Sequence, residues 1–163
     1  MNMYFSNFLK KYIYLILIIL TLIIISGFNK YLYFNIFSYI FIHIILIYLT
    51  FYRDSQINYI IIFLVGFTLD QILIGEYGPH LIGLMIFYTV IKSFKRFFFN
   101  SKLIYFIILQ MIVAALLIIG EQYLALLLYN KQINLIILLN MNIFILLFYY
   151  PIFLILNRLN KYN

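Results

Sequence analysis

Few side chains in this sequence are able to take part in chemistry, because 67% of the 163 residues are hydrophobic and only 9% are charged. The ionisable groups within or beside the apolar runs are His43, Asp70, Glu76, His80 and Glu121. An aspartate at the centre of a membrane helix costs about 2.5–3.5 kcal/mol on insertion scales, so Asp70 needs a donor from protein or water. Asp70 therefore either contacts a ligand or partner, or makes a structural hydrogen bond that caps the end of its own predicted helix, the third in the chain (about residues 57–74).

Known catalytic patterns do not match these residues. A membrane aspartyl protease needs two aspartates that share a proton, and Asp70 is the one aspartate inside an apolar run. His43 and His80 are distant in sequence and are predicted at different depths, and no H-E-x-x-H motif occurs, which argues against a metal site. Neither a G-x-S-x-G elbow nor a nucleotide-binding loop is present. The sequence predicts no enzymatic activity and no cofactor.

Several polar residues are predicted on one side of the membrane, in one half of the helix bundle. They are Asp70, Glu76, His80, Glu121, Asn140 and Asn142. Two interpretations remain open, a polar patch inside that half of the bundle and a set of solvated loop ends. His43 is predicted near the middle of the second helix, either as a neutral histidine bonded to one neighbour or as part of a proton relay.

The composition indicates an all-helical membrane protein. The mean hydropathy is +1.12, and too little polar surface is present to coat a soluble domain. A helix needs about 20 apolar residues to cross a bilayer, so the length allows about six crossings in a single polytopic domain, residues 1–163. Near-continuous apolarity is typical of helices that are hydrophobic all round. The apolar runs are about 12–28, 33–51, 57–74, 79–94, 103–129 and 133–156.

The positions of the basic residues predict the orientation and argue against nucleic acid as a partner. With both termini in the cytoplasm, nine Lys and Arg residues fall on the inner side and two on the outer side, which is the bias expected of membrane proteins. The inner residues are Lys10, Lys11, Arg53, Lys92, Lys95, Arg96, Lys102, Arg158 and Lys161, and the outer residues are Lys30 and Lys131.

The third and fourth apolar runs are predicted to form a helix hairpin. Gly66 lies one helical turn before Asp70 on the same face, where a missing side chain lets another helix approach. Gly75 and Gly78 permit positive φ in the connection, and Pro79 suits the first position of the next helix. Pro151 lies inside the last run and predicts a kink there.

This hairpin resembles that of the MreD family, the bacterial rod-shape-determining membrane proteins. The resemblance rests on the segment G-F-T-L-D-Q-I-L-I-G-E-Y-G-P-H-L-I-G, residues 66–83, and the matching positions are Gly66, Asp70, Gly78 and His80. The ending is also similar, with Pro151 in the last run followed by a basic tail.

The resemblance implies a non-enzymatic scaffold of the cell-elongation machinery in the bacterial cytoplasmic (inner) membrane. Its partners would be membrane lipid, a single-pass protein of the MreC type, and the actin-like filament protein and peptidoglycan synthases. Gly66 and Gly83 are the predicted contact points for the single-pass partner. The family is also similar to the six-helix substrate-binding subunits of vitamin transporters, which supplies an alternative function, although no vitamin-type pocket is predicted from the sequence.

Overall fold

The computed structural model describes the backbone of residues 2–27, 32–52, 57–98 and 103–161, and the side chains of residues 12–27, 32–52, 57–94 and 104–159. Within these ranges the chain forms six helices and no strand, so the prediction of an all-helical protein is confirmed. The helices are α1 (Asn2–Gly27), α2 (Leu32–Tyr52), α3 (Tyr59–Leu73), α4 (Pro79–Phe98), α5 (Leu103–Tyr129) and α6 (Leu135–Lys161).

The helix ends depart from the predicted apolar runs in both directions. The helices α1, α4 and α6 continue through polar residues beyond the runs, because backbone hydrogen bonding does not stop where hydropathy falls. The short helix α3 begins later than predicted, since the Asn58 side chain accepts a hydrogen bond from the backbone N–H of Ile61 at 3.0 Å and caps its start.

Three of the six helices are long and apolar enough to cross a membrane, which indicates a membrane protein. These stretches are Leu32–Tyr52, Ile104–Tyr129 and Leu135–Leu159. The other three helices contain shorter apolar stretches, namely Tyr12–Gly27, Tyr59–Leu73 and Pro79–Phe94.

The helix α2 lies at the centre of the bundle. It packs against α1, α4, α5 and α6, and 67% of its apolar stretch is buried, against 22% for α6. Every residue from Ile42 to Phe51 is buried within the protein. The helix α2 is hydrophobic all round, as predicted, but it mainly faces other helices and not lipid. Its apolarity serves contact with other helices, whereas that of α6 remains largely on the surface.

The bundle has two distinct ends. One end, called the hairpin end here, contains the α3–α4 connection (74–78), the α5–α6 connection (130–134) and the start of α2. Near the opposite end, the hydroxyls of Tyr14 and Tyr48 both donate to the backbone carbonyl of Leu156, at 3.2 and 3.3 Å. These bonds join α1, α2 and α6 near the end of α6.

Three of the eleven basic residues have described side chains. Lys92, Lys131 and Arg158 are described and exposed. The remaining basic residues lie outside the residues whose side chains are described: Lys10, Lys11, Lys30, Arg53, Lys95, Arg96, Lys102 and Lys161.

Candidate functional site

The connection between α3 and α4 is a tight turn shaped by its glycines. Gly75 has a φ of 76° and Gly78 a φ of 140°, both in the positive region that the sequence predicted for them. The backbone N–H groups of Ile74 and Gly75 both bond to the backbone carbonyl of Asp70, at 3.0 and 2.9 Å, which ends α3. Pro79 is the first residue of α4. The turn thus brings the start of α4 back against the last turns of α3.

The Asp70 side chain caps the start of α4. Its carboxylate accepts backbone N–H bonds from Gly78 at 2.8 Å, His80 at 2.9 Å and Leu81 at 3.1 Å, and a fourth bond from Nδ1 of His80 at 2.8 Å. The first N–H groups of a helix have no partner within it, and a negative charge there is also stabilised by the positive end of the helix dipole. Asp70 therefore makes a structural hydrogen bond that caps a helix, as one of the two interpretations expected. The helix that it caps is α4, at its start, and not α3 at its end.

Gly66 allows α3 and α4 to approach each other at this cap. A Cβ added to Gly66 would lie 2.6 Å from Cα of Leu81 and 3.3 Å from the backbone oxygen of His80. Both atoms belong to the backbone and have no room to move. The prediction that another helix approaches closely at Gly66 is confirmed, and that helix is α4. This face is filled by α4, and a contact of Gly66 with a single-pass partner stays a prediction.

A second polar cluster lies between α2 and α5. The Tyr39 hydroxyl donates to Oε2 of Glu121, and Nε2 of His43 lies 3.0 Å from Oε2 and 3.1 Å from Oε1 of the same carboxylate. Nδ1 of His43 lies 2.8 Å from the backbone carbonyl of Tyr39. Tyr39, His43 and Glu121 are each exposed by 2% or less. Glu121 is thus not a solvated loop end, and His43 has two partners where one was expected.

The rings of Tyr39 and His80 join the two clusters. The His80 ring, whose Nδ1 bonds Asp70, meets the edge of the Tyr39 ring at a centroid distance of 5.6 Å. The Tyr39 ring also lies 4.3 Å from that of His43. Both histidines therefore contact one tyrosine, although the sequence predicted them at different depths. Asp70, His80, Tyr39, His43 and Glu121 form one continuous network across α2, α3, α4 and α5.

Gly83 sets the position of Glu121 within this network. A Cβ at Gly83 would lie 2.7 Å from Cγ of Glu121, so the absence of a side chain lets α5 pack closely on α4. The Glu121 side chain is fixed by its bonds to Tyr39 and His43, so it has little freedom to move aside. The close contact of Gly83 is thus made with α5 inside the bundle. The prediction that Gly83 also contacts a single-pass partner stays a prediction.

A cavity of about 250 Å³ opens onto the network from the hairpin end. Tyr39, His80 and Glu121 form its polar part, and the exposed Lys131 and Gln132 lie in its lining at the α5–α6 connection. Apolar residues supply the remaining walls, among them Leu32, Ile36, Leu73, Ala125, Ile137 and Met141. The sequence did not predict such a pocket. The cavity combines apolar walls with convergent polar groups, as small-molecule sites do.

Other residues singled out in the sequence lie outside this network. Glu76 is exposed in the turn. Asn142 donates to the carbonyl of Leu138 in its own helix, and Asn140 is half-buried on the same helix. Pro151 is exposed inside α6, which continues through it. Tyr39 is the functional candidate that the sequence analysis missed, and its position four residues before His43, on the same helix face, is the available signal.

The chemistry open to this network is hydrogen bonding and proton exchange. Among the side chains that the structure describes, no three His, Asp or Glu residues are grouped closely enough to hold a metal ion. Asp70 already accepts four hydrogen bonds and Glu121 is bonded by Tyr39 and His43.

Comparison with known proteins finds no relative of this chain. No protein-family model matches the chain, and no curated protein or solved structure matches it either.

Proposed function

We propose that this chain is a non-enzymatic membrane scaffold of the bacterial cell-elongation machinery, of the kind represented by the MreD family. The observation that carries the proposal is the α3–α4 hairpin. The residues on which the resemblance rests are Gly66, Asp70, Gly78 and His80, and their contacts form one unit. Asp70 bonds Gly78 and His80, while Gly66 admits the backbone of His80 and Leu81. Packing and helix capping together give each of these residues a structural role, which suits a binding scaffold.

An apolar groove between α4 and α5 supports the expected type of partner. The groove has a volume of about 420 Å³, and its lining includes Gly83, Val90, Leu116, Gly120 and Leu124. Among the described residues, nothing lies within 4 Å of a Cβ added at Gly120. Helices in lipid associate through close packing at small residues, because lipid provides little hydrophobic drive. We therefore assign this groove to the membrane helix of a single-pass, MreC-like partner.

In this proposal all six helices cross the bacterial inner membrane and both termini are cytoplasmic. The shortest helix, α3, has 15 residues and a length of about 22 Å, which is less than the roughly 30 Å of the hydrocarbon core. It must therefore lie nearly perpendicular to the membrane, and the bilayer must be thinner beside it. Interfacial residues support that placement. The Lys92 ammonium lies 5.3 Å from the Tyr59 ring and 5.5 Å from the Tyr88 ring, at the end opposite the hairpin end. Aromatic and basic side chains of this kind anchor helices at the interface.

The scaffold would connect its single-pass partner to the actin-like filament protein and the peptidoglycan synthases. Co-purification of the full chain in mild detergent tests the partner directly. We expect an MreC-like protein to be recovered with the wild type and to be lost with Gly120→Leu, which fills the groove. Gly27→Leu is the matched control, because a Cβ at Gly27 also meets nothing within 4 Å among the described residues.

Recovery of the same partner with both variants would remove the groove from the proposal. Recovery of a transporter ATPase, and of no single-pass elongation protein, would reject the scaffold function itself.

One observation favours a second function, that of a substrate-binding subunit of a vitamin or small-molecule transporter. The cavity at the hairpin end has polar groups from Tyr39, His80 and Glu121 inside apolar walls. Mass spectrometry of the purified chain in mild detergent tests this function. A retained small molecule that is lost with Ala125→Leu, which narrows the cavity, would support it, and a chain that binds neither a molecule nor an ATPase would exclude it.

A further inference from the structure

The hydrogen on Nδ1 of His43 is fixed by its partner. Nδ1 lies 2.8 Å from the backbone carbonyl oxygen of Tyr39, and a carbonyl oxygen can only accept a hydrogen bond. Nδ1 therefore carries a hydrogen and donates it. If the ring is neutral, its other nitrogen, Nε2, then bears a lone pair and no hydrogen.

The contact between His43 and Glu121 consequently requires one more proton. Nε2 lies 3.0 and 3.1 Å from the two carboxylate oxygens, and an ionised carboxylate has only lone pairs to present. Two lone pairs at this distance repel. The proton is carried either by Nε2 or by the Glu121 carboxyl, and the number of protons is the same in both cases. The Tyr39 hydroxyl cannot replace it, because that hydrogen is donated to Oε2 of Glu121.

The cavity gives this contact a path to water. Glu121 and Tyr39 line it, and its volume of about 250 Å³ is several times the share of one water molecule in the liquid, about 30 Å³. The exposed Lys131 and Gln132 also line it, so the cavity reaches the surface at the hairpin end. Water at the polar part of this cavity, beside Tyr39, His80 and Glu121, is able to accept a proton from the buried pair and return it.

We propose that Tyr39, His43 and Glu121 form a proton-binding site, which exchanges one proton with water in the cavity and holds α2 to α5 while the proton is bound. Release transfers the proton to cavity water and leaves a neutral His43 facing an ionised Glu121. The Nε2 contact is then broken, although the Tyr39 bond to Oε2 persists.

The other charged groups near the site, Asp70 and Lys131, have hydrogen-bond partners of their own. Asp70 of α3 is satisfied by the start of α4 and by His80, whose ring meets Tyr39. Lys131 lies in the cavity lining and donates to the carbonyl of Ile74 at 3.1 Å. The described part of α6 lines the cavity with the uncharged Ile137 and Met141. The described titratable side chains of α1, Tyr12 and Tyr14, lie toward its start, and Tyr14 bonds α6 at the opposite end.

The site predicts the sign of a pH dependence. In an unfolded chain, histidine and glutamate both lose their ionisable proton below about pH 7. Folding above that pH therefore takes up one proton, so the folded state is favoured at lower pH and becomes less stable as pH rises. The ratio of folded to unfolded protein should fall by up to about tenfold per pH unit while this uptake persists.

Glu121→Gln isolates this proton. The amide oxygen accepts the Tyr39 hydroxyl, and the amide NH₂ donates to Nε2 of a neutral His43, so the same bonds form without an added proton. We expect thermal unfolding of the full chain in detergent to shift downward between pH 6 and pH 9 for the wild type and much less for Glu121→Gln. Glu76→Gln makes the same change at an exposed glutamate of the hairpin end and should behave as the wild type does. Equal pH shifts in the wild type and in Glu121→Gln would overturn the proposal.

A measurement on the wild type keeps the test independent of whether Glu121→Gln folds. Nitrogen-15 NMR of the histidine rings reports the proton on each ring nitrogen. We expect the Nε2 signal of His43 to change between pH 6 and pH 9 while Nδ1 remains protonated. The carbon-13 signal of the Glu121 carboxyl reports the proton if Glu121 carries it. Signals of both His43 and Glu121 that are constant over this range would overturn the proposal.

Discussion

Gly66 and Leu81 are in direct backbone contact across the α3–α4 hairpin, where a Cβ on Gly66 would lie 2.6 Å from Cα of Leu81. Gly66→Ala must therefore separate the two helices and disturb the Asp70 cap. We expect a loss of about 1–3 kcal/mol in the free energy of unfolding, as for other overpacked sites. Thermal or denaturant unfolding of the full chain in detergent measures it.

Gly120→Ala is the matched control for this prediction. A Cβ at Gly120 meets nothing within 4 Å among the described residues, and alanine is favoured over glycine inside a helix by about 1 kcal/mol. We expect Gly120→Ala to leave stability unchanged or to increase it. Equal losses at both glycines would show that the close contact at Gly66 is not the cause.

The cap makes Asp70→Asn a severe substitution. Each carboxylate oxygen of Asp70 accepts two hydrogen bonds, and asparagine replaces one oxygen with an NH₂ group that cannot accept them. If the NH₂ group faces His80, it can donate to Nδ1 of the neutral ring, but the buried backbone N–H of His80 then lacks an acceptor, at a cost of about 1–3 kcal/mol. In the opposite orientation the backbone N–H groups of Gly78 and Leu81 both lack one. We expect the amount of folded Asp70→Asn protein in the membrane to fall well below that of the wild type.

Glu76→Gln is the control, since it removes a carboxylate from the same turn at an exposed position. Its membrane abundance should equal that of the wild type. Normal abundance of Asp70→Asn together with loss of cell shape or partner capture would instead give Asp70 a direct functional contact.

The hairpin was largely predictable from sequence, whereas the α2–α5 contact was not. Glycine, proline and aspartate impose local requirements on the backbone, so Gly75, Gly78 and Pro79 identify the turn. The burial of α2 has no such signal, because a run that packs on other helices is as apolar as one that faces lipid. Tyr39 is one of 17 tyrosines, and its bond to Glu121 spans 82 positions of the chain. Pairing at that separation depends on how the helices assemble.

The proposed topology predicts where single cysteines react. The chain contains no cysteine, so each introduced thiol reports one position. We expect Gln132→Cys, at the hairpin end, to react with a membrane-impermeant reagent added to intact cells. Arg158→Cys, near the end of α6, should react only after the cells are opened. Labelling of Arg158→Cys in intact cells would reject the orientation.

The central claim is that a single-pass membrane protein binds the groove between α4 and α5, and photocrosslinking in living cells tests it most directly. Leu116 lines the groove and is 62% exposed, and Leu147 on α6 is 64% exposed at a similar distance from the hairpin end. A photoreactive phenylalanine at each position provides a matched pair. The account predicts a crosslink to an MreC-like protein from position 116 and none from position 147. Equal crosslinking from both positions, or capture of an MreC-like protein only from position 147, would contradict it.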